Sequence, residues 1–210
     1  MVMYEDAQLI TIDDQDQYHG VVGYSASVIN DGVTFLASDT GAITDTANNG
    51  GVLRCTSATH NLTTGQYVTL TGMGDAAHVG ITRVTVIDPN TFDCDDITYN
   101  SDDDTGTWTR GSSLTVDTGH GGLYKISFSA SMSSVAVSQI VKIEIYINAT
   151  ETDEIVSERK IATGGDLGAL GSLGYAHLTG GDIVWLAIMN KSSGGNFTIE
   201  HSNVSIARNC

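Results

Sequence analysis

The six histidines of this chain are scattered singly and show no spacing that a metal site uses. They are His19, His60, His78, His120, His177 and His201. Histidine-based metal centres group their ligands closely, often as His-x-His with a nearby Glu, and that pair is missing. The sequence also lacks a Gly-x-Ser-x-Gly nucleophile elbow, and no pair of carboxylates is placed for glycoside cleavage. We therefore expect a protein that is not an enzyme and has no cofactor.

Six aspartates between positions 93 and 104 form the densest group of carboxylates. They are Asp93, Asp95, Asp96, Asp102, Asp103 and Asp104. Oxygen-rich loops bind calcium, but the Asp-x-Asp-x-Asp-Gly spacing and the distal Glu of an EF-hand are missing. Two interpretations stay open, a solvated acidic loop and a calcium site.

A glycine-rich segment spans residues 164–174. Its glycines do not follow Gly-x-Gly-x-x-Gly and no Lys-Ser/Thr pair comes after them, so nucleotide binding is not predicted. We interpret the segment as a loop that connects two strands. Its leucines, Leu167, Leu170 and Leu173, would be exposed on such a loop, and we predict that they contact a partner.

Three cysteines, Cys55, Cys94 and Cys210, are too few and too unevenly placed for a disulfide framework. Cys55 and Cys94 both fall in strand-like runs, where a small thiol packs well in a core. A bridge between these two and a pair of buried thiols are both compatible with the sequence.

The chain is strongly acidic, with 25 Asp and Glu against 9 Lys and Arg and a formal net charge of -16. Such a surface repels a phosphate backbone, so we predict no nucleic-acid partner. The acidity serves solubility, or it keeps large particles apart. The N-terminal residues do not resemble a signal peptide and no run is long enough to span a membrane, so we expect synthesis in the host cytoplasm and no membrane partner.

Glycine turns and alternating apolar residues predict strands along almost the whole chain. One proline stands against 24 glycines, and Asn30-Asp31-Gly32 is a strong hairpin signal. Predicted strands cover residues 20–29, 33–37, 113–116, 122–132, 139–148, 154–162, 175–178, 182–189 and 196–207. This pattern is typical of an all-β protein with two packed antiparallel sheets.

Turn-rich junctions divide the chain into three parts. Residues 1–14 are predicted to form an N-terminal arm or an edge strand, in which Leu9, Ile10 and Ile12 contact a partner. Residues 15–48 and 112–210 would form the sandwich. Residues 49–111, with five short strand-like runs, would form an inserted small β-barrel.

The C-terminal strands resemble the jelly roll of C1q and tumour necrosis factor proteins. The resemblance rests on Gly122-x-Tyr124-x-Ile126, on the run from Val141 to Asn148, and on Leu178 followed by Gly181-Asp182-x-Val184. It implies a homotrimer. Residues 183–188 are apolar on both faces, which also indicates a covered outer face. The candidate interface residues are Tyr124, Phe128 and Trp185.

The inserted segment resembles a small β module of tailed-bacteriophage structural proteins. Its pattern is His60-x-Leu62-x-x-Gly65-x-x-Val68-x-Leu70, followed by Val-x-Val-x-Asp and Thr-Phe. Together the two resemblances imply a non-enzymatic capsid decoration or cement protein, located on the virion surface, that binds the major capsid protein as a trimer and stabilises the shell. The alternative is a trimeric tail-fibre tip that recognises host glycans.

Overall fold

Antiparallel strands form nearly all of the regular structure in the computed structural model of this chain. The structure describes residues 2–12, 18–27, 32–101, 104–162, 164–192 and 195–209. Within these ranges the one helical element is a 3-10 turn, Ala76–His78. No helix in the described ranges is long and apolar enough to cross a membrane. The prediction of an all-β protein is confirmed.

The strands are numbered in chain order. They are β1 (Val2–Ile12), β2 (Tyr18–Gly20), β3 (Ser25–Ser27), β4 (Val33–Leu36), β5 (Asp39–Ile43), β6 (Asp45–Asn49), β7 (Val52–Thr56), β8 (Tyr67–Thr71), β9 (Gly80–Asp88), β10 (Thr91–Thr98), β11 (Gly106–Arg110), β12 (Ser113–Val116), β13 (Gly122–Ser134), β14 (Gln139–Ile147), β15 (Thr150–Ile161), β16 (Gly168–Leu178), β17 (Ile183–Asn190) and β18 (Gly195–Arg208).

These strands belong to two compact units. The first comprises Met1–Ala37 and Ser112–Cys210, and the second comprises Ser38–Gly111. The second unit is inserted between β4 and β12, which pair with each other from Leu36 opposite Ser113 to Val33 opposite Val116. The insertion therefore starts at Ser38 rather than at residue 49, because the run before residue 49 supplies two strands to the second unit.

Two facing sheets build the first unit. The first sheet has the order β16-β13-β18-β1-β3, and the second has the order β15-β14-β17-β12-β4, with β2 paired to β17. From β12 onward the chain crosses between the sheets five times. It enters the first sheet at β13, β16 and β18 and the second sheet at β14 and β17. This crossing pattern is that of a jelly-roll sandwich, as the sequence predicted.

Alternate residues of facing strands fill the space between the two sheets. Side chains that are two residues apart point to the same side of a strand, so each strand gives one of its faces to the core. The second sheet contributes Val141, Ile143, Ile145, Val184, Leu186 and Ile188, and the first sheet contributes Tyr124, Ile126, Phe128, Met132, Phe197, Ile199, Val204 and Ile206.

Residues 2–12, expected to form an arm or an edge strand, form β1, which pairs with β18 along its length and with β3 at Val2, Met3 and Tyr4 only. They are a strand of the sandwich and not a separate arm. The expected hairpin needs correction. The strands beside Asn30-Asp31-Gly32 do not form a hairpin, because β3 joins the first sheet and β4 joins the second. Residues 28–31 themselves lie outside the described ranges.

The second unit is a single seven-stranded sheet that rolls into a barrel. Its order is β5-β11-β8-β9-β10-β7-β6. The two end strands, β5 and β6, are separated in the chain by Thr44 alone. Because one residue cannot bridge the width of a flat seven-stranded sheet, the sheet must curl until its edges meet. The predicted small barrel is therefore present, with β5 and β6 added to it.

Trp108 fills the centre of this barrel. Its ring is fully buried, meets Phe92 edge-on at a centroid distance of 6.5 Å, and donates a hydrogen bond from Nε1 to Ser57 Oγ at 2.8 Å. Gly41 lies opposite Trp108 in the register of β5 and β11. A Cβ atom at Gly41 would come within 2.8 Å of the indole ring, so this position requires glycine.

Candidate functional site

Two of the three predicted trimer contacts lie in the core of a single chain. Tyr124 is fully buried and donates from its hydroxyl to the carbonyl oxygen of His120 at 2.6 Å, and Phe128 is 3 % exposed. Both belong to the cluster between the two sheets. Neither side chain has surface to offer a second subunit, which corrects the expectation that they line an interface.

Trp185 points to the outer side of the second sheet and is also buried by its own chain. It lies against Tyr146 with ring centroids 4.8 Å apart, and its Nε1 donates to the carbonyl oxygen of Asn148 at 2.8 Å. Ala187, two residues along the same strand, is fully buried as well. The two-sided apolar pattern of β17 therefore needs no second subunit to cover it.

The three leucines of the glycine-rich segment occupy three different environments. Residues 168–178 form β16 rather than a loop. Leu170 is half-buried against the core, whereas Leu173 faces outward and is 49 % exposed. Leu167 precedes the strand and is 66 % exposed. A spacing of three places Leu170 and Leu173 on opposite faces, because a strand has a period of two.

The described aspartates of the 93–104 region contact different residues of the same chain. Asp93 accepts a two-pronged hydrogen bond from Arg54 at 2.7 and 3.0 Å. Asp95 pairs with Arg83 at 3.1 Å. Asp104 accepts from the imidazole of His78 at 2.8 Å. Asp102 and Asp103 lie outside the described ranges, and calcium binding by this region stays a hypothesis without a described ligand set.

Three carboxylates on the β14–β15 hairpin do come together. Possible ligand atoms of Glu144, Glu151 and Asp153 lie within 4.8 Å of one another. Lys142 reaches the same place, with Nζ 2.7 Å from Glu144 and 3.6 Å from Glu151. Burial alone would lower the pKa of Lys142, but the hydrogen bonds and charges of Glu144 and Glu151 raise it above its usual value. The ammonium group of Lys142 thus lies where a metal ion bound by these carboxylates would lie.

Two buried histidines of the barrel are fixed by hydrogen bonds on both ring nitrogens. His78 contacts Asp104 through Nδ1, while its Nε2 accepts from the backbone N–H of Asn100 at 3.1 Å. His60 contacts the carbonyl oxygen of Asp88 through Nε2, while its Nδ1 accepts from the backbone N–H of Leu62. With both nitrogens engaged, these rings support the barrel and have no nitrogen left for a substrate or a metal.

Among the residues whose side chains the structure describes, the most exposed large apolar ones lie on two neighbouring loops of the jelly roll. Val135 and Val137, in the loop between β13 and β14, are 75 % and 63 % exposed. Leu167, the last residue of the loop between β15 and β16, is 66 % exposed. Backbone hydrogen bonds from Ser138 to Ala162 and from Gly165 to Ser134 join the two loops. We call Val135, Val137 and Leu167 the apolar tip. Sequence reasoning missed the valines, although Ser-Val-Ala-Val-Ser between two strands was a readable signal.

A second surface is the outer face of the first sheet. Here β16 presents Leu173 and Tyr175, which are 49 % and 53 % exposed. Beside them β13 presents Ser127 and Ser129, whose hydroxyl groups bond to Ser205 and Asn203 of β18 at 2.7 and 2.9 Å. We call these outward side chains of β16, β13 and β18 the serine face.

Leu9, Ile10 and Ile12 lie on β1, beside β18 in the first sheet. Their backbones pair with Thr198, Phe197 and Gly195, so this part of the chain belongs to the sandwich. Their contact with another protein stays a prediction.

Neither a family model nor a curated protein sequence matches the chain. Among solved structures, the chain is similar to the CBM22-1 xylan-binding domain of Paenibacillus barcinonensis Xyn10C, at 14 % identity and a TM-score of 0.34 over 78 % of this chain and 100 % of that one. It is also similar to a chain in the structure of infectious bursal disease virus, Gx strain, at 10 % identity and a TM-score of 0.32 over 99 % of this chain and 72 % of that one. The chain is similar as well to a family 11 carbohydrate-binding module of Clostridium thermocellum, at 10 % identity and a TM-score of 0.24 over 97 % of each chain. These similarities are distant, and the fold assignment rests on the strand pairing.

Proposed function

We propose that this chain is a non-enzymatic decoration or cement protein of a bacteriophage capsid. The observation that carries the proposal is the apolar tip, whose three side chains are the most exposed large apolar groups in the described part of the chain. Soluble proteins seldom hold such groups in water without a binding role. The resemblance of the inserted barrel to a module of phage structural proteins supports the virion as the place of binding.

The loop that carries the tip is held in shape by buried amides. Gln139 donates from Nε2 to the carbonyl oxygen of Val137 at 3.0 Å, and Asn190 donates from Nδ2 to Gln139 Oε1 at 2.8 Å. Asn190 in turn accepts from the backbone N–H of Ser192. A loop whose polar groups are satisfied in this way loses little conformational entropy on binding, which favours attachment to a rigid shell.

If the protein binds the assembled shell but not its dissociated subunits, this binding would stabilise the shell by mass action. A ligand that binds only the intact state lowers its free energy relative to the dissociated state. Three tips on one trimer would act together, since the second and third contacts form at a high effective concentration. The formal charge of -16 would keep decorated particles from adhering to one another.

The number of copies per virion tests this proposal. On purified particles of the phage that encodes the chain, quantitative mass spectrometry should give hundreds of copies at a fixed ratio to the major capsid protein. A few to a few tens of copies would place the protein in the tail, and none would end the virion interpretation.

A matched pair of variants tests the tip itself. Val135→Ser, Val137→Ser and Leu167→Ser combined should weaken binding of the purified chain to undecorated shells by at least about tenfold, as expected when an apolar anchor is lost. The control Ile87→Ser changes another exposed apolar side chain, 47 % exposed on β9, and should bind normally. Equal binding by both variants would exclude the tip.

The alternative, a tail-fibre tip that binds host glycans, is favoured by Tyr175. This aromatic side chain is 53 % exposed beside hydroxyl groups of the serine face, which suits stacking against a sugar ring. Binding of host glycans that is lost in Tyr175→Ala, together with a low copy number per virion, would favour this alternative over capsid decoration.

A further inference from the structure

We infer that the serine face binds a polysaccharide that contains hexuronic acids, with Tyr175 stacking on a sugar ring and Lys125 pairing with the carboxylate of that sugar. The inference goes beyond capsid decoration, which uses the apolar tip. It gives a chemical class to the glycan of the alternative role, and it rests on that role only for the expectation that the chain meets a glycan. An exposed aromatic ring next to an exposed cation is the feature that carries it.

Tyr175 and Lys125 are direct neighbours on adjacent strands. They lie opposite each other in the register of β16 and β13, and both are exposed on the outer side of the first sheet. Side chains in opposite positions have Cβ atoms about 4.5–5.5 Å apart. Leu173, two residues along β16, lies beside Tyr175 on the same side of the strand. A sugar ring on Tyr175 would therefore have an apolar neighbour on one flank and a cation on another.

Lys125 forms no ion pair with a carboxylate in the described part of the chain. Five other basic residues do form such pairs, namely Arg54, Arg83, Arg110, Lys142 and Lys191. Strands β13 and β16 contain no Asp or Glu, although the whole chain has 25. The ammonium group of Lys125 can therefore pair with the carboxylate of a ligand, and such charge-assisted contacts are stronger than neutral hydrogen bonds.

The negative charge of the whole chain does not prevent this contact. At about 0.15 M ionic strength the Debye length is about 8 Å, so carboxylates farther than this from Lys125 are largely screened. On β18, Glu200 accepts from Ser133 Oγ at 3.1 Å. Ser133 is eight residues from Lys125 along β13, or about 26 Å at the usual rise of a strand. The charge next to Tyr175 on this face is thus that of Lys125.

The relative position of the two side chains favours a hexuronic acid over other acidic sugars. A pyranose ring stacks on an aromatic ring through its apolar C–H face. In the common hexuronic acids the carboxylate is equatorial, so it lies at the edge of the stacked ring, where the side chain of Lys125 can reach it. In an α-linked sialic acid the carboxylate is axial and points out of the plane of the ring.

The serine face continues beyond Leu173 as a low, uncharged track. Gly171 and Ala169 of β16 lie opposite Ser129 and Ser131 of β13. The 11 residues of β16 extend over about 35 Å, which is long enough for several linked sugar rings. The Ser129 hydroxyl accepts one hydrogen bond from a neighbouring amide, and a hydroxyl has capacity for more. A chain of sugars therefore fits this face better than a single sugar.

The test is binding of polygalacturonate, a polymer of one hexuronic acid, by the full chain. Isothermal titration calorimetry in calcium-free buffer at about 0.15 M salt excludes bridging by calcium and screens distant charges. The methyl ester of the same polymer is the matched ligand, because its rings are unchanged and its carboxyl groups are neutral. We expect the acid to bind at least about tenfold more tightly than the ester.

Three further polymers define the class of sugar. Alginate and hyaluronan contain other hexuronic acids, and colominic acid is a polymer of sialic acid. We expect at least one of the three hexuronate polymers to bind more tightly than colominic acid. Failure of all three to bind, equal binding of polygalacturonate and its ester, or tightest binding of colominic acid would overturn the inference.

Variants separate the ion pair from the stacking contact. Lys125→Gln should weaken binding of the acid at least about tenfold and leave binding of the ester unchanged, since only the acid has a charge to pair. Tyr175→Ala should weaken binding of both. The control Lys160→Gln removes an exposed cation from β15, in the second sheet, and should bind both as the wild type does.

Two results with the variants would contradict the inference. The first is an equal loss of acid and ester binding in Lys125→Gln, and the second is wild-type binding of the acid by Lys125→Gln or by Tyr175→Ala. Circular dichroism of each variant shows that the sandwich is intact in the comparison.

The outcome is separable from that of the proposed function. The assay contains no shell, and the triple serine variant of the apolar tip should still bind polygalacturonate. A chain that binds shells but no hexuronate polymer would refute this inference alone. A chain that binds hexuronate polymers but is absent from the capsid would refute the decoration role alone. Binding of neutral glycans only, lost in Tyr175→Ala, would favour the tail-fibre alternative and refute the hexuronate class.

Discussion

The Sγ atoms of Cys55 and Cys94 lie 3.6 Å apart in the core of the barrel, and both thiols are free. The two residues are on neighbouring strands, but Cys55 lies opposite Phe92 and Cys94 lies opposite Leu53, so the cysteines are diagonal neighbours. Diagonal pairs are about 7–8 Å apart, beyond the Cα separation of up to about 7 Å that a disulfide accepts. The structure thus answers the question that the sequence left open in favour of two thiols.

These two thiols should be unreactive until the barrel unfolds. The hydrogen bond with Cys55 and then burial raise the pKa of Cys94 well above its usual value, and only the thiolate reacts with alkylating reagents. In a Cys210→Ser chain, mass spectrometry should find no iodoacetamide adduct under native conditions and two adducts in denaturant. A chain whose mass is two hydrogens below that of the dithiol form, and which takes up no iodoacetamide after unfolding, would contain a disulfide and would contradict the structure.

Replacement of Asp104 should destabilise the barrel. Asp104 accepts from His78 and from the backbone N–H groups of Gly74 and Asp75. Asp104→Asn removes the charge that holds these donors, and we expect a loss of about 2–3 kcal/mol in the free energy of unfolding, measured by urea titration. Asp88→Asn, at an exposed carboxylate of the same barrel, should cost less.

The stability of the barrel should also fall in acid. Burial would raise the pKa of Asp104, but the hydrogen bonds from His78, Asp75, Gly74 and Thr105 outweigh it and hold the pKa below its usual value. A carboxyl group with a lowered pKa stabilises the fold above its unfolded pKa of about 3.9, and this stability is lost as pH falls through the folded pKa. The melting temperature should fall less between pH 7 and pH 3 in Asp104→Asn than in the wild type. An equal fall in both proteins would show that Asp104 is not the source of the acid sensitivity.

Leu170 and Leu173 should differ in their effect on stability. Leu170 packs against the sandwich core, so Leu170→Ser should cost about 1–2 kcal/mol through lost apolar burial. Leu173→Ser should stay within about 0.5 kcal/mol for the isolated chain, because the side chain faces water there. The urea midpoints of the two variants, measured at a concentration where the chain is monomeric, should differ in this order. The reverse order would mean that the register of β16 is wrong.

Gly41→Ala should destabilise the barrel although it adds one methyl group. The new Cβ would meet the Trp108 ring within 2.8 Å, and overpacking a filled core costs about 1–3 kcal/mol. Near-ultraviolet circular dichroism and fluorescence of Trp108 should report the change. Ala42→Ser adds an atom at the next, exposed position and should have little effect. Similar stability of both variants would show that the ring can shift without cost.

Part of this architecture could be predicted from local patterns. Alternation at Val141, Ile143 and Ile145 indicated a core strand, and the turn-rich junctions near residues 49 and 111 indicated an insertion. Both signals depend on neighbours along the chain, where the period of a strand and the conformational freedom of glycine act directly. For the same reason the segment 164–174 was misread, since its glycines suggested a loop and it is mostly β16.

An all-β protein, with a jelly-roll sandwich interrupted by a small barrel and a large negative charge, could be predicted from the amino-acid sequence. Which side chains face solvent became evident from the three-dimensional fold. Leu173 is exposed and Trp185 is buried, although both are large apolar residues in strands. His78 and Asp104 meet across 26 residues of sequence. Such outcomes depend on the register between distant strands, and a shift of one residue in that register would turn every side chain to the opposite face.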